Sequence, residues 1–529
     1  MVSLGIIAGV WWWIAQPVHL ARPPIDATTR LECVSYAPFR GLQSPLDPGL
    51  HVSAQQIAED FAQLAKVTGC VRTYSVDNGL DQAPAEAQKA GLKMMLGLWI
   101  GSDRLKNRQQ VAGAIALAKE YPGVVSSVVV GNEVMLRGEM IAPDLIAYIR
   151  QVKAELPNVP VTYADVWEFW LKHRELYAAV DFVTIHILPY WEDFPVRARH
   201  AAAHVDSIRK RMAVAFPDKE IIIGETGWPS AGRMREGALP SRTNQARVIS
   251  EVLDLARREK FRVNLIEAYD QPWKRALEGT VGGYWGLFDA DRRELKYPAG
   301  VPVSNFPHWN MQLGAGLIYC AFVFLVGYLT QRRRPWAPRW TAWAAIALSA
   351  TAGGVLFGVA TDKLLVESLS TGAYVRWGAL LAAGVLTPVF AAVALIAGRP
   401  LPTLVQLIGP QHMRDRTPLS IPLGLCLAVT AVIGFETALG FVFDPRYRDF
   451  PFAALTMAVL PMFMLMLLNR PAEGRRPIAE AVFAGGLLLS AVYIVINEGF
   501  NNWQSVWTCV VYAALALTMW RARAVQSQE

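Results

Sequence analysis

The stretch Val124-Val125-Ser126-Ser127-Val128-Val129-Val130-Gly131-Asn132-Glu133 decides the fold. Val128-Val129-Val130 is apolar without alternation, as a strand buried on both faces must be, and it runs into a polar tip ending on a carboxylate. The same order recurs at Ile221-Ile222-Ile223-Gly224-Glu225-Thr226-Gly227-Trp228. Working outward, short β-branched runs cover 32–37, 70–75, 93–99, 124–132, 159–164, 182–187, 220–225 and 262–268. Amphipathic stretches such as 54–66, 108–120, 143–156, 197–216 and 246–260 lie between them. Strands alternating with helices in this way build a parallel sheet. Eight units over about 280 residues fit the size and order of an α/β (β/α)8 TIM barrel. An open doubly wound sheet would carry Gly-x-Gly-x-x-Gly after its first strand, and none follows here.

The barrel is only part of the chain. Its 529 residues are 53% hydrophobic and 18% charged, with mean hydropathy +0.25, which excludes a disordered or fibrous protein and points to membrane content. The net charge of +7 is unevenly placed: residues 311–529 hold 16 Lys+Arg and 10 Asp+Glu, leaving 35 and 34 of the totals 51 and 44 to residues 1–310. The sequence pI near 9.1 thus comes from the apolar tail, and nucleic acid is not expected as a partner. Seven apolar runs of membrane-spanning length follow, at 311–330, 340–360, 377–397, 421–443, 450–468, 478–496 and 506–520. Alternate connections carry Arg332, Arg333, Arg334, Arg339, Arg399, Arg414, Arg416, Arg470, Arg475, Arg476, Arg521 and Arg523 on one side. The other side has only Lys363, Arg376, Arg446 and Arg448. Twelve against four puts the first set in the cytoplasm and the front domain outside it.

The expected division is an N-terminal anchor or signal-like segment over 1–21, the barrel over 31–305, an all-α seven-helix transmembrane domain over 311–520 and a cytoplasmic tail over 521–529. The first segment, with Trp11-Trp12-Trp13, is short and lacks a basic start; an uncleaved anchor is preferred because no small-x-small site follows it. Cys33 and Cys70 read either as a pair in an exported domain or as two small buried hydrophobes near neighbouring strand starts. No metal-ligand spacing or phosphate loop is present in the sequence, so neither metal nor cofactor is expected.

Chemistry in such a barrel belongs at the C-terminal ends of the strands, and polar residues collect there. In chain order the tips read Ser35-Tyr36, Arg72-Thr73-Tyr74-Ser75, Trp99, Gly131-Asn132-Glu133, Tyr163-Ala164-Asp165, His186 ahead of Tyr190-Trp191, Gly224-Glu225-Thr226 ahead of Trp228, and Glu267-Ala268-Tyr269-Asp270. Carboxylates at the fourth and seventh tips, with aromatic residues on most other rim positions, suit retaining glycoside hydrolysis, which needs a proton donor and a carboxylate nucleophile about 5–5.5 Å apart.

Val130-Gly131-Asn132-Glu133 and Gly224-Glu225-Thr226-Gly227-Trp228-Pro229-Ser230 resemble the two active-site signatures of family 17 glycoside hydrolases, and the resemblance is to a bacterial membrane-bound member. It covers about 31–297 and extends to Asp270-Gln271-Pro272-Trp273-Lys274, Glu278 and Trp285-Gly286-Leu287-Phe288. It implies Glu133 as general acid/base and Glu225 as nucleophile of a β-1,3-glucan-active enzyme. Two positions depart from the plant members: Leu188 replaces a usual Tyr, and His186 a usual Asn.

On physical grounds Glu133 needs a raised pKa, from apolar surroundings and the nearby Glu225 anion. Asn132 suits the sugar 2-hydroxyl, and Tyr36, Arg72 and Lys274 are candidate donors around Glu225. Tyr74, Tyr163, Asp165, Tyr190, Trp191, Trp228, Asp270, Trp273, Lys274 and Glu278 complete the expected sugar-binding set; Trp167, Trp191, Trp273 and Trp285 serve either as stacking platforms or as packing. Glu436, an acid inside a span, is either functional or packed against a polar neighbour. The expected partners are glucan donor and acceptor, the lipid bilayer and a glucan synthase. The expected location is the bacterial inner membrane, with the barrel periplasmic and the C-terminus cytoplasmic. Transferase is preferred over hydrolase; a non-catalytic glucan-binding export component is the alternative of a different class.

Overall fold

In a computed structural model of the protein, residues 1–18, 20, 30–292, 294–298, 301–333, 339–409, 417–469 and 474–524 are described. Arg334, Arg414, Arg416 and Arg470 of the charge count, and most of the expected tail, lie outside these residues. The chain divides into two compact units: 17–232 with 237–303, and 1–16 with 233–236 and 304–529.

The first unit contains a closed parallel barrel of eight strands in sequence order. They are β1 (Cys33–Ser35), β2 (Cys70–Arg72), β3 (Lys93–Leu98), β4 (Val125–Asn132), β5 (Val161–Val166), β6 (Val183–His186), β7 (Ile221–Thr226) and β8 (Val263–Leu265). The expected TIM barrel is therefore present, with β1, β2 and β8 shorter than their apolar runs. The helices Ala54–Leu64, Arg104–Glu120, Ala142–Glu155, Ala198–Ala215 and Arg242–Glu259 bury stripes such as Ile57, Phe61 and Leu64 against the outer faces of the strands. Ser53, Asp103 and Ser241 accept backbone N–H groups at three of the helix starts, satisfying donors that helix geometry leaves orphaned. A smaller cluster of Cys33, Cys70, Met95, Val129, Ala164, Phe182 and Ile222 is also buried. Its two cysteines form a disulfide between β1 and β2, which settles the two readings in favour of pairing.

The second unit is helical. Trp309–Arg332, Trp340–Glu367, Thr371–Ala397, Ser420–Phe443 and Ile478–Glu498 are long and apolar enough to cross a membrane. Seven spans were expected; five of those runs, among the described residues, form helices of this length and apolarity. Phe452–Leu468 has only 17 residues. Trp503–Trp520 opens on Trp503-Gln504-Ser505 and is further diluted by Thr508 and Thr518. Close packing uses small residues: a Cβ on Gly316 would meet the Gly354 carbonyl oxygen at 2.0 Å, as in helix pairs that meet backbone to backbone. The N-terminal helix Val2–Ile14 buries Ile7 and Trp11 in the same core. Glu436 pairs with Arg376 at 3.0 Å and Arg448 at 3.8 Å and its side chain is 45% exposed, so it is an ion-pair member rather than an isolated intramembrane acid.

The Cys33–Cys70 bridge spans 37 positions, a closure that the chain-entropy account values at about 4 kcal/mol. Replacing both cysteines with serine is expected to lower the thermal midpoint of the solubilised chain by roughly 8–15 °C, read by a thermal-shift assay. A midpoint within 2 °C, as an order-of-magnitude bound, contradicts a stabilising bridge.

Candidate active site

Three strand tips leave regular pairing, and those departures build the site. β4 shifts register against β5 between Val129 and Asn132, β6 against β7 between Ile185 and His186, and β7 against β8 between Ile223 and Thr226. Such irregularities re-aim side chains next to sites. At the end of β4, Gly131 takes φ 87, and a Cβ there would meet Val134 Cγ2 at 2.7 Å. Glu133 follows at φ 55, left-handed backbone that costs a side-chain-bearing residue of order 1–3 kcal/mol unless its surroundings enforce it. They do. Glu133 N donates to Ala164 O and Arg137 N to Glu133 O, each at 2.8 Å. Met135 N donates to Tyr163 Oη at 3.0 Å and to Asp165 Oδ2 at 3.2 Å, while the Tyr163 hydroxyl donates to Asp165. The clamp comes from the tip of β5. Asp165 is fully buried; burial, and next to the opposing Tyr163 hydrogen bond the Glu133 charge, leave its carboxyl pushed up to about 6.

Inside this frame a carboxylate oxygen of Glu133, one of Glu225 and a ring nitrogen of His186 lie within 4.8 Å of one another. His186 Nδ1 is 2.9 Å from Glu133 Oε1, and its Nε2 is 3.6 Å from Glu225 Oε1. Arg72, also fully buried, ties the tips together. Its Nη1 donates to Gly224 O at 2.8 Å and to Glu225 Oε1 at 3.2 Å, and its Nη2 to Asn132 Oδ1 at 2.5 Å. The Tyr74 hydroxyl donates to Glu225 Oε1 at 2.8 Å and lies 2.8 Å from Ser35 Oγ. Asn264 Nδ2 donates to the Gly224 carbonyl at 2.7 Å and Ser35 Oγ at 2.8 Å. The Arg72 guanidinium already supplies the cation this carboxylate pair needs, so a metal would add a like charge beside it.

Glu133 departs from expectation. Desolvation pushes its carboxyl up, but the hydrogen bond and charge of His186, with the charges of Arg137 and Arg72, outweigh it and hold the group below the ordinary glutamate range.

The structure brings Arg72, Tyr74 and Asn132 to the carboxylates and gives other expected residues different partners. Tyr36 does not serve Glu225: its hydroxyl donates to Asp60 at 2.9 Å, and Asp60 also pairs with Arg292 and Arg40. Lys274 donates to Glu267 at 2.7 Å, and the charges of Glu278 and Glu225 also act favourably on that lysine. Asp270 is buried against Lys296 at 2.7 Å and accepts from Gly286 N. Tyr190 is buried and packs edge-on against Trp191, Trp228 and Trp285, and Trp228 Nε1 donates to Leu239 O. Trp273 donates to Gln271 Oε1 at 2.9 Å and meets Phe39 edge-on. Trp167 and Trp285 are nearly buried, which favours packing over stacking for both, whereas Trp99 is 43% exposed with Arg137 4.2 Å from its ring centre. Sequence reasoning did not assign His186 as a bridge, nor Ser35, Asn264, Arg137 or Glu267 as partners. Their signal was position alone, since Ser35, His186 and Glu267 stand at strand tips.

Glu267 is buried at the end of β8; burial pushes its carboxyl up to about 7 against the opposing charge of Lys274. Asp165 and Glu267 therefore hold protons in the folded barrel that an unfolded chain releases near pH 4. Their stabilisation is complete below that pH and is lost as pH rises through 6 to 7. The unfolding midpoint should fall by roughly 2–5 °C between pH 5 and pH 8, and Glu267→Gln should flatten that fall. An unchanged slope in the variant would contradict the assignment.

Residues 33–286 match the family described as BtgE/BtgC glycoside hydrolase domain. A glucan 1,3-beta-glucosidase from Arthroderma benhamiae is 28% identical over 266 residues, covering 47% of this chain and 85% of that protein. A probable beta-glucosidase btgE from Aspergillus fumigatus is 30% identical over 225 residues, covering 41% of this chain and 39% of that protein; the chain thus spans about two fifths of the length of that relative. Among solved structures, an active-site mutant of Rhizomucor miehei beta-1,3-glucanosyltransferase in complex with laminaritriose is 25% identical, covers 50% of this chain and 94% of its own, and superposes with a TM-score of 0.45. Residues 33–286 thus match a glycoside hydrolase domain of family 17 type, a kind of glycan-active enzyme.

Proposed function

We propose that this protein is a membrane-bound retaining enzyme acting on β-1,3-glucan, with Glu225 as nucleophile and Glu133 as general acid/base. One observation carries the reading: carboxylate oxygens from the tips of β4 and β7 lie within 4.8 Å of each other. An inverting enzyme holds its carboxyl groups about 6.5–9.5 Å apart to admit a water, and a retaining one about 5–5.5 Å. In the first displacement a Glu225 oxygen bonds to the anomeric carbon while Glu133 protonates the departing glycosidic oxygen. In the second, an acceptor hydroxyl gives its proton to Glu133 as its oxygen replaces Glu225 at the same carbon. Arg72 and Tyr74 both donate to Glu225 Oε1, which holds that carboxyl group in place for the attack. Asn132, fixed by Arg72, is the group proposed to meet the sugar 2-hydroxyl.

Transfer to a second glucan is preferred over hydrolysis. Trp99 exposes an aromatic face beside Arg137, whose Nη1 bonds the Asn132 carbonyl, so an acceptor sugar has a stacking surface near the Glu133 turn. Placement in a bilayer with the barrel on the outer side is supported by several independent features. Among the described residues five helices are long and apolar enough to span, apolar side chains such as Ile318, Val432 and Leu489 are exposed on them, and, counted across all seven apolar runs of the sequence, basic residues divide twelve to four between alternate connections. The Cys33–Cys70 bridge belongs in an oxidising compartment. A role limited to glucan binding and export would need neither carboxylate, and burying Glu225 is costly without chemistry to serve.

Detergent-solubilised protein incubated with laminari-oligosaccharides should yield products longer than the substrate, resolved by size. Glu225→Ala should lose at least about a thousandfold in rate. Only shorter products would assign hydrolysis, and a fully active variant would overturn the enzyme assignment.

A further inference from the structure

His186 lies between the two carboxylates, fully buried, on a tip whose register shift turns it toward them. Its two ring nitrogens are differently engaged: Nδ1 faces Glu133 Oε1 at 2.9 Å, and Nε2 faces Glu225 Oε1 at 3.6 Å and Arg72 Nη1 at 3.4 Å. The ionisable groups around it are Glu133 from β4, Glu225 from β7, Arg72 from β2 and Asp165 from β5, whose charge also acts on it; Arg137 acts on Glu133 from the other side. The donor set around Glu133 favours its ionised form in the open site, yet the first displacement requires it to deliver a proton. The proton must be stored within reach.

We propose that His186 is that store: its Nδ1 holds the proton that Glu133 passes to the departing glycosidic oxygen. The inference rests on the retaining reading above. In the resting site the imidazolium donates through Nδ1 to the Glu133 carboxylate. As substrate excludes water, the proton crosses to Glu133 Oε1 and then to the glycosidic oxygen as that oxygen leaves the anomeric carbon and Glu225 bonds to it. His186 is left neutral with its remaining proton on Nε2. When an acceptor hydroxyl replaces Glu225, its proton returns through Glu133 to Nδ1, and every proton is accounted for over one turnover. His186 acts through Glu133 and touches no reacting atom, so it is a positioning and proton-holding residue.

The test compares wild type with His186→Asn, in the full solubilised chain, by kcat/KM on two donors. On laminari-oligosaccharides, whose leaving oxygen needs a proton, the variant should lose roughly tenfold or more at pH 7. On a 2,4-dinitrophenyl β-laminaribioside, whose phenolate leaves without a proton, its loss should be at least about threefold smaller. No loss on oligosaccharides, or a loss of equal size on both donors, would overturn the proposal. Glu133→Ala runs alongside: if it keeps full rate on oligosaccharides, the acid/base assignment itself fails. If Glu133→Ala loses that rate while His186→Asn keeps it, only the store fails.

Discussion

The site depends on one buried cation. Arg72 rises from β2 into the barrel mouth and bonds in a single spray to the nucleophile candidate Glu225, to the Gly224 carbonyl that precedes it, and to Asn132 beside Glu133. Two of those contacts come from β7 and one from β4. The same side chain therefore sets the spacing of the carboxylates and offsets the cost of burying Glu225. A buried carboxylate without such a partner would take up a proton and lose its nucleophilicity. The remaining donors, Tyr74 with Ser35 and Asn264 behind it, refine a geometry that Arg72 already fixes.

Around that cation the barrel uses departures from regular pairing to produce chemistry. Regular ladders would leave Glu133 and His186 alternating in and out with their strands. The register shifts and the left-handed turn Gly131-Asn132-Glu133 bring them together, and the Tyr163–Asp165 clamp holds the strained turn. A packed β5 tip thus supports a reactive β4 tip. Asp165 and Tyr163 are themselves buried and hold the turn that carries Glu133.

Much of this was legible in the sequence, for a physical reason. Strands buried on both faces must be apolar throughout, so Val128-Val129-Val130 and Ile221-Ile222-Ile223 declare themselves, and the polar residue that ends each run falls at the barrel mouth. Arg72, Tyr74, Asn132, Glu133 and Glu225 were read at strand ends that way, and they lie together in the fold. Pairing across loops was not legible, because no local pattern says which of several acids a lysine reaches. Lys274 hydrogen-bonds Glu267 and reaches Glu225 through charge alone, and Tyr36 joins Asp60, Arg40 and Arg292. The same gap hid the bridging position of His186, so the direction in which Glu133 shifts came out reversed. In the helical unit apolarity marked the helices, and five of the seven runs, among the described residues, are long and apolar enough to span.

The central claim is that Glu225 becomes covalently joined to the sugar. A 2-deoxy-2-fluoro laminaribiosyl donor with a good leaving group slows the second displacement more than the first, so a retaining enzyme accumulates its glycosyl intermediate. Intact mass and peptide mapping of the solubilised protein should show one added disaccharide unit, located on the peptide that carries Glu225, and none in Glu225→Ala. Turnover of the donor with no adduct, or an adduct on another residue, would contradict the account.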